Sequence, residues 1–544
     1  MTDASGAVAR VVAAETDGPV FGVLGDGNLA FLDALTRRHG GRHVATARED
    51  GGVLAADGYA RVSGEVGVAT ATHGPGLTNT VTPLVEAARS RTPLVLVTAD
   101  TDPGVPWHPQ ALDQARLAGA AEAAFVSVRS TATAQADTAE AFARARSERR
   151  PVVLDVPVRL PAEAPSREGV RGEEATAECG EAEIGAAVAL ALSARRVVVL
   201  AGRGAVRSGA REALVELADR LGALLATTLL ATEYFAGEPY AVGISGGFAD
   251  GLARDLLTRA DCVLVFGASF NPFTTDNGAL YGKAQVVHCD TDAAAIGTHR
   301  PAEVALVGDA RRIAERLLAR LRADGVHRAG WRAPELAGRL ASRSPEDGFT
   351  DESDETGADP RSVALALDRV LPKERILVVD GGHAALSEPV RMIRVPEPSH
   401  LVYPLGFGSI GLGLGAAIGA AHARPGRVVA AVVGDGGLMM SLAEFDTAVR
   451  CGLAVVVIAM NDGAYGFEYH NMIRQGIPTG LAEFDRPDFA GVARAMGGDG
   501  YSIGSVRELE ELAPRLRRPE RPVLVDVRLT RRVRTDWFTR FTQG

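Results

Sequence analysis

Two aspartates set in glycine-rich turns are the residues of this sequence best suited to chemistry. Asp435 stands in Gly434-Asp435-Gly436-Gly437 and Asp462 in Asn461-Asp462-Gly463, with 24 residues between Gly436 and Asn461. Carboxylate oxygens are the hard donors that Mg2+ accepts, and glycines beside them let backbone N–H groups approach an anion with no Cβ in the way. Mg2+ carrying a diphosphate is the ligand such a pair would take; a capped helix followed by an ordinary turn is the other reading. A second triplet, Gly25-Asp26-Gly27, offers an internal comparison: Gly52 and Val53 occupy the matching offset, so that copy reads as a turn.

The two aspartates can meet only if the chain delivers them to one edge. Residues 427–433 read as a buried strand, 441–451 as a helix and 453–460 as a second strand, which makes one βαβ unit. A right-handed crossover renders the strands parallel and puts both turns at the carboxyl edge, where open α/β sheets bind ligands. The same alternation of β-branched runs and amphipathic stretches recurs around 94–98, 196–200 and 262–266, predicting parallel sheets covered by helices.

A chain of 544 residues exceeds one hydrophobic core. Two stretches read as linkers, 160–185, which mixes Pro, Glu and Gly, and 344–360, which is acidic and nearly free of large apolar residues. They predict domains at 1–165, 183–325 and 358–544. Arg150-Pro151-Val152-Val153-Leu154-Asp155-Val156 closes the first and Arg521-Pro522-Val523-Leu524-Val525-Asp526-Val527 the third. The expected fold is therefore α/β: three doubly wound parallel-sheet domains, the first and third of similar fold around a different middle one.

Composition excludes several classes of function. The net charge of -10 is spread along the chain and leaves no basic stripe for nucleic acid. Cys179, Cys262, Cys289 and Cys451 show no CxxC spacing, so neither a disulfide framework nor a zinc site is expected, and a reducing cytoplasm fits. The N-terminal stretch, with Asp3 and Glu15 around short Ala/Val runs, lacks the design of a signal peptide. Residues 405–421 approach membrane-span length but hold six glycines and run almost directly into a strand, so no membrane segment is expected.

The first part also contains Ala45-Thr46-Ala47-Arg48-Glu49-Asp50-Gly51-Gly52, then Ala55-Ala56-Asp57-Gly58-Tyr59-Ala60-Arg61, then Thr72-His73-Gly74-Pro75-Gly76-Leu77-Thr78-Asn79. Together with the spaced aspartates, these motifs resemble the thiamine-diphosphate-dependent enzymes, in their acetolactate (acetohydroxyacid) synthase-like branch. The resemblance covers nearly all of the first part, the middle more loosely and most of the third. It implies a pyrimidine-binding first domain, a central nucleotide-fold domain and a third domain that binds diphosphate through Mg2+.

Residue by residue, the resemblance implies that Glu49 is the activating carboxylate, bonded to the aminopyrimidine ring nitrogen. The Mg2+ ligands would be the side chains of Asp435 and Asp462 and the carbonyl of Ala464. Asp462 replaces the family's second Asn, which keeps an oxygen donor and adds a charge. Gly434, Gly436 and Gly437 would lie against the cofactor, as would Gly382 and His383 in Asp380-Gly381-Gly382-His383. In Gly406-Phe407-Gly408-Ser409-Ile410-Gly411, Gly408 would offer its carbonyl to the 4'-amino group and Ile410 would wedge the two rings into a V. Tyr465, Glu468, Tyr469 and His470 would face cofactor or substrate, with His470 a catalytic candidate. Gln114 falls near an active-site Gln. His73, where the family has a small polar residue, is either a substrate-facing acid or base or a hydrogen-bonded spacer.

Read alone, several of these residues keep a plainer role: a helix-start charge for Glu49, packing glycines for 411–419, a turn for 380–383, and a surface helix for 465–470. The synthases carry a non-redox FAD on the central domain, but this chain has Gly267-Ala268-Ser269-Phe270-Asn271-Pro272 where they place an Arg-Phe pair, so FAD is not expected. The central part also lacks a GxGxxG opening a helix, against a dinucleotide oxidoreductase. The activity implied is decarboxylation of a 2-oxo acid, followed by joining of the product to an aldehyde or a second 2-oxo acid. A simple decarboxylase or C–C lyase is the alternative; the adjacent-histidine pair of pyruvate decarboxylase is absent. A homodimer or homotetramer is implied, with Glu49 and Asp435 meeting across a subunit boundary.

Overall fold

Short buried runs of Val, Leu, Ile and Ala form the strands, and because both faces are covered they pair in parallel throughout. The computed structural model describes residues 4–102, 108–160 and 178–542. Its first sheet holds β1 (Val20–Gly22), β2 (His43–Ala45), β3 (Gly67–Ala71), β4 (Leu94–Asp100), β5 (Ala124–Ser127) and β6 (Pro151–Pro157). The second holds β7 (Val197–Ala201), β8 (Leu224–Thr227), β9 (Ala241–Ile244), β10 (Cys262–Phe266), β11 (Gln285–Asp290) and β12 (Val304–Val307). The third holds β13 (Ile376–Val379), β14 (Leu401–Val402), β15 (Val429–Gly434), β16 (Val455–Asn461), β17 (Asp499–Ile503) and β18 (Val523–Arg528).

The first sheet runs β2-β1-β3-β4-β6-β5 and the third β14-β13-β15-β16-β18-β17, which is one strand order used twice. The echoed Arg-Pro-Val segments form β6 and β18, at the same place in each. The second sheet runs β12-β11-β10-β7-β8-β9, the doubly wound order of dinucleotide-binding folds read from its far edge. The α/β expectation, with similar outer folds and a different middle one, therefore holds.

The chain divides into two compact units. Met1–Gly169, Asp351–Ile393 and Ser399–Arg534 make one, and Val170–Thr350, Arg394–Pro398 and Thr535–Gly544 make the other. Of the first expected linker, 161–177 lies outside the described residues, and its end is helical, since Glu181–Ser193 is a helix. The second is no free spacer. Asp354 accepts from Thr356 and Thr530, and Asp359 caps the helix Pro360–Val370 by accepting from Arg361 N–H, because Asp side chains close turns on nearby N–H groups. The four cysteines are free. Among the described residues no helix is long and apolar enough to cross a membrane; the run at 405–421 supplies a buried 11-residue helix, Gly413–Ala423.

That helix is buried on every face from Gly413 to Ala421 and lies against the helix Glu49–Ser63. Glycines let the two backbones touch. A Cβ on Gly58 would stand 2.1 Å from the Ala416 carbonyl oxygen, and one on Gly419 would stand 1.7 Å from that of Ala55. The packing reading of this glycine run thus describes Gly415 and Gly419. Apolar clusters cross the same seam: Ile418 and Ala448 pack with Phe21, Val53 and Leu84, and Val62 packs with the third sheet's core. Gly419→Ala should therefore lower the unfolding free energy by about 2 kcal/mol or more, an overpacking cost. Gly119→Ala, in the same unit on the helix Gln114–Ala120, meets nothing within 4 Å and should raise it by up to about 1 kcal/mol. Denaturant melts of the two variants check this, and shifts of the same sign would contradict the contact.

Candidate active site

β15 and β16 are neighbours in register, Gly434 opposite Met460, so the turns after them open side by side. Asp435 begins a helix, Asp435–Ser441, and a second helix follows at Glu444–Arg450. The single helix expected from 441 therefore starts six residues early. An acidic first residue suits a helix N-terminus, and Gly436 and Gly437 are tolerated inside it because space is short: a Cβ on Gly436 would meet the Tyr465 ring at 2.6 Å and one on Gly437 would meet Asp380 Oδ2 at 3.2 Å.

Asp435 and Asp462 are both buried. Asp435 accepts from Gly436 N–H at 2.8 Å and, across the gap between the strands, from Gly463 N–H at 2.7 Å. Asp462 accepts from Ala464 N–H at 3.1 Å. Arg531 donates to the carbonyls of Asp462 and Gly463, and among the described residues neither carboxylate has an ion-pair partner. Burial pushes the Asp435 carboxyl up; burial and then the Asp435 charge push Asp462 up further. Asn461, the residue before, is committed elsewhere: its Nδ2 donates to Asp526 on β18 at 2.7 Å.

Gly382 (φ 117) leads into a one-turn helix from His383, whose buried ring lies 4.3 Å from that of His470, centroid to centroid. A Cβ on Gly466 would stand 2.6 Å from Asp462 Oδ2 and 3.3 Å from His383 Cβ, so the histidine pair adjoins the Asp462 turn. Burial lowers both rings, which keeps them neutral. Tyr465 is exposed, as is Glu468, and Tyr469 packs edge-on against His470. The loop at 406–411 carries positive φ at Gly408 (80) and Gly411 (84) and a half-buried Ile410. Asp380, fully buried, holds this loop's end by accepting from Gly411 N–H at 2.9 Å and Leu412 N–H at 3.4 Å.

Glu49 opens the helix Glu49–Ser63, half-buried, and its Oε2 accepts from Asn79 Nδ2 at 3.0 Å. The turn before it is held by Glu444, which accepts from Arg48 N–H at 2.9 Å, Ala47 N–H at 3.3 Å and Thr447 Oγ1 at 2.8 Å. A Cβ at Gly51 would collide with that carboxylate at 2.1 Å. Among the described residues no hydrogen bond joins Glu49 to Asp435 or Asp462. His73 lies on the first sheet's carboxyl edge, 3% exposed, and neither ring nitrogen has a hydrogen-bond partner among the described residues; the His108 ring meets it edge-on. The Gly25–Gly27 segment, expected as a turn, instead caps and opens a short 3-10 helix, Asp26–Asn28, packed on Thr72 and His73.

Gln114 is spent internally. Its Nε2 donates to Ala99 O at 2.8 Å and Asp155 Oδ1 at 3.0 Å, and its Oε1 accepts from Gly74 N–H at 3.3 Å, so it braces the turn after His73. Sequence reasoning missed the anchors Glu444 and Asn79: a lone Glu on an amphipathic helix carries the signal of a solvated charge. It also did not pair His383 with His470.

Asp155 supplies a pH test. Burial pushes its carboxyl up to about 7, with bonds from Ser127 and Gln114 pulling back. The folded state then binds this proton more tightly than the unfolded chain, whose Asp titrates near 4, so stability falls as pH rises from about 4 to about 7. Asp155→Asn, which can keep both bonds, should flatten that part of the profile. Melting temperatures at pH 5 and pH 8 should lie closer together in the variant than in the wild type; an unchanged gap would count against a proton on Asp155.

Comparison with known proteins supplies the family. Residues 2–117 match the N-terminal TPP binding domain of thiamine pyrophosphate enzymes, 184–317 their central domain and 383–527 their C-terminal TPP binding domain. The sulfoacetaldehyde acetyltransferase of Alcaligenes xylosoxydans xylosoxydans is 31% identical over 540 residues, covering 92% of this chain and 87% of that protein. The acetolactate synthase isozyme 3 large subunit of Escherichia coli (strain K12) is 29% identical, covering 93% and 91%. The acetolactate synthase large subunit of Parasynechococcus marenigrum (strain WH8102) is 30% identical, covering 97% and 88%. With all three domains matched and relatives of this kind aligned over most of both chains, the protein belongs to the thiamine-diphosphate-dependent enzymes, in their acetolactate synthase-like branch.

Proposed function

We propose that the protein decarboxylates a 2-oxo acid and joins the remaining fragment to an aldehyde or a second 2-oxo acid, using thiamine diphosphate held through Mg2+. The observation that carries this reading is the pair Asp435 and Asp462, two buried carboxylates facing one gap between parallel strands and, among the described residues, with no direct ion-pair partner, the Arg486 and Arg531 charges acting only from nearby. Such a pair is costly unless a divalent ion is added. The donor set fits Mg2+: Asp435, Asp462 and the Ala464 carbonyl are hard oxygen ligands. Gly434, where an added Cβ would meet nothing within 4 Å, would leave backbone open to the diphosphate, with Gly436, Gly437, Gly382, His383 and Tyr465 beside it.

Thiamine diphosphate, when bound, supplies the electron sink that lets the bond next to a 2-oxo group break. The chain's own residues do the rest. Glu49 would hold and return the proton at the aminopyrimidine ring nitrogen, oriented by Asn79 and by the Glu444 anchor behind it. Gly408 and Ile410 would receive the aminopyrimidine. The partnerless ring nitrogens of His73 favour a substrate-facing acid or base over a hydrogen-bonded spacer, and the bonds of Gln114 favour bracing that histidine's turn. His470 stacks on His383 beside the Asp462 turn and would shape the substrate side.

Glu49 has no bond to the aspartate pair of its own chain, which supports a site completed by a second copy, hence a homodimer or a dimer of dimers. Exposed Met439, Met440, Ile473, Ile477 and Leu481 around the aspartate turns supply apolar surface for that contact. A second reading, acetyl transfer from sulfoacetaldehyde, in which the C–S bond breaks, sulfite leaves and both carbons pass as an acetyl group to an acceptor such as phosphate, draws on the sulfoacetaldehyde acetyltransferase relative. A screen of 2-oxo acids with and without aldehyde acceptors, and of sulfoacetaldehyde with phosphate, separates the two; coupled product from a 2-oxo acid is expected, and phosphate-dependent release of sulfite from sulfoacetaldehyde would favour the second.

Glu49→Gln keeps shape but cannot relay a proton. Thiamine diphosphate should still bind, while exchange of its C2 proton into D2O and turnover both slow by at least about 100-fold; exchange at the wild-type rate would remove Glu49 from the mechanism. Asp435→Ala should abolish Mg2+-dependent cofactor binding and Asp462→Asn should retain it, which calorimetric titration reads directly. Unimpaired binding in Asp435→Ala would reject the metal assignment.

A further inference from the structure

The loop at 406–410 is thinly tied. Gly406, Phe407 and Gly408 are exposed, the two glycines contribute no side chain, and Gly408 has the positive φ of a backbone that little else restrains. Among the described residues the buried group that anchors the loop comes from the first part of the chain, beside Arg89, whose guanidinium lies 4.7 Å over the Phe407 ring. Glu86, fully buried on the helix Val81–Arg89, accepts from Phe407 N–H through Oε2 at 2.8 Å, while Oε1 accepts from Ser90 Oγ at 2.8 Å and pairs with Arg61 at 2.8 Å.

Arg61 closes the network. It lies in the last turn of the helix that Glu49 opens, its side chain 8% exposed, with Nε paired to Asp57 at 2.8 Å and a further nitrogen donating to Tyr403 O at 2.9 Å. Burial alone would raise the Glu86 carboxyl, but Arg61 and the Phe407 and Ser90 bonds outweigh it and hold the group below the usual range, so it is an anion. Asp57, by contrast, is pushed up by burial. Arg61 thus bridges the two carboxyl groups, and of the two it is Glu86 that reaches the loop. Downstream, Asp380 grips Gly411 and Leu412, which leaves Gly408 and Ile410 strung between two buried carboxylates.

We propose that Glu86, with Arg61 as its counter-charge, is a positioning residue that sets the Gly408 carbonyl and the Ile410 wedge for the aminopyrimidine by holding the Phe407 N–H. The proposal rests on the cofactor reading above and goes beyond it in assigning a role to an ion pair remote from the metal turns. Its consequence is selective: the diphosphate end of the cofactor is held by other residues and should not sense the anchor.

Glu86→Gln keeps the volume but offers one acceptor where the carboxylate serves three donors. In the full-length protein, titration with thiamine diphosphate and Mg2+ should show affinity reduced about ten- to a hundredfold, the size of one charge-assisted hydrogen bond. Inorganic pyrophosphate with Mg2+, which fills only the diphosphate end, should bind the variant as it binds the wild type. Should Glu86→Gln fail to fold, Ser90→Ala, which removes one hydroxyl bond to the other oxygen of the same carboxylate, should show the same split at about threefold. Equal losses for both ligands, or none for either, would overturn the proposal, since general loosening moves the two together. If the wild type binds pyrophosphate but not thiamine diphosphate, the cofactor reading fails; if it binds neither, both fall.

Discussion

The backbone contact between helices Glu49–Ser63 and Gly413–Ala423 is the constraint on which the rest of the outer sheets depends. Two helices normally stand 8–10 Å apart, kept there by side chains; here glycines at 58, 415 and 419 remove the spacers. The first helix has Glu49 at one end and Arg61 at the other, and the second begins at the loop that carries Gly408 and Ile410. Fixing one helix on the other therefore fixes both ends of a long lever against the third sheet. Because the contact is backbone on backbone, it has no rotamers to relax and transmits position with little play.

A repeated device then converts that rigid frame into ordered loops. Asp380, Glu86, Asp435 and Glu444 are buried carboxylates, and each accepts backbone N–H groups from a segment other than its own. Loops beside a ligand cannot be packed by large side chains, since the ligand needs the room. A carboxylate can hold such a segment through its main chain instead, and the N–H dipoles offset part of the cost of burying the charge.

What was legible in the sequence follows from periodicity and spacing. β-Branched runs located β7, β10 and β15 to within a residue or two, and the repeated Arg-Pro-Val segments pointed to similar outer folds, though not to their shared strand order. The turns at Asp435 and Asp462 were visible because glycine punctuation survives in a one-dimensional reading. The helix start at Asp435 was not: two glycines after an aspartate argue for a turn, and only the crowding by Tyr465 and Asp380 explains their place inside a helix. Glu86 and Glu444 were invisible for a different reason, since an acid on an amphipathic helix looks solvated until the segment that buries it arrives from hundreds of residues away. The pairing of His383 with His470 and the inward bonds of Gln114 likewise belong to tertiary structure alone.

The helix Gly413–Ala423 has no polar face, so it is an element that neither outer sheet can own by itself. Val62 in the third sheet's core and Ile418 in the first's tell the same story from the side-chain level. The two outer parts are therefore not modules in the sense of pieces that can be recombined one at a time. A chimera that imports a foreign first part must import its matching third part with it, glycine for glycine along the seam. Among the described residues the central sheet's apolar clusters draw on residues 179 to 340 and on none of this seam, so divergence or replacement between relatives should find its freedom there.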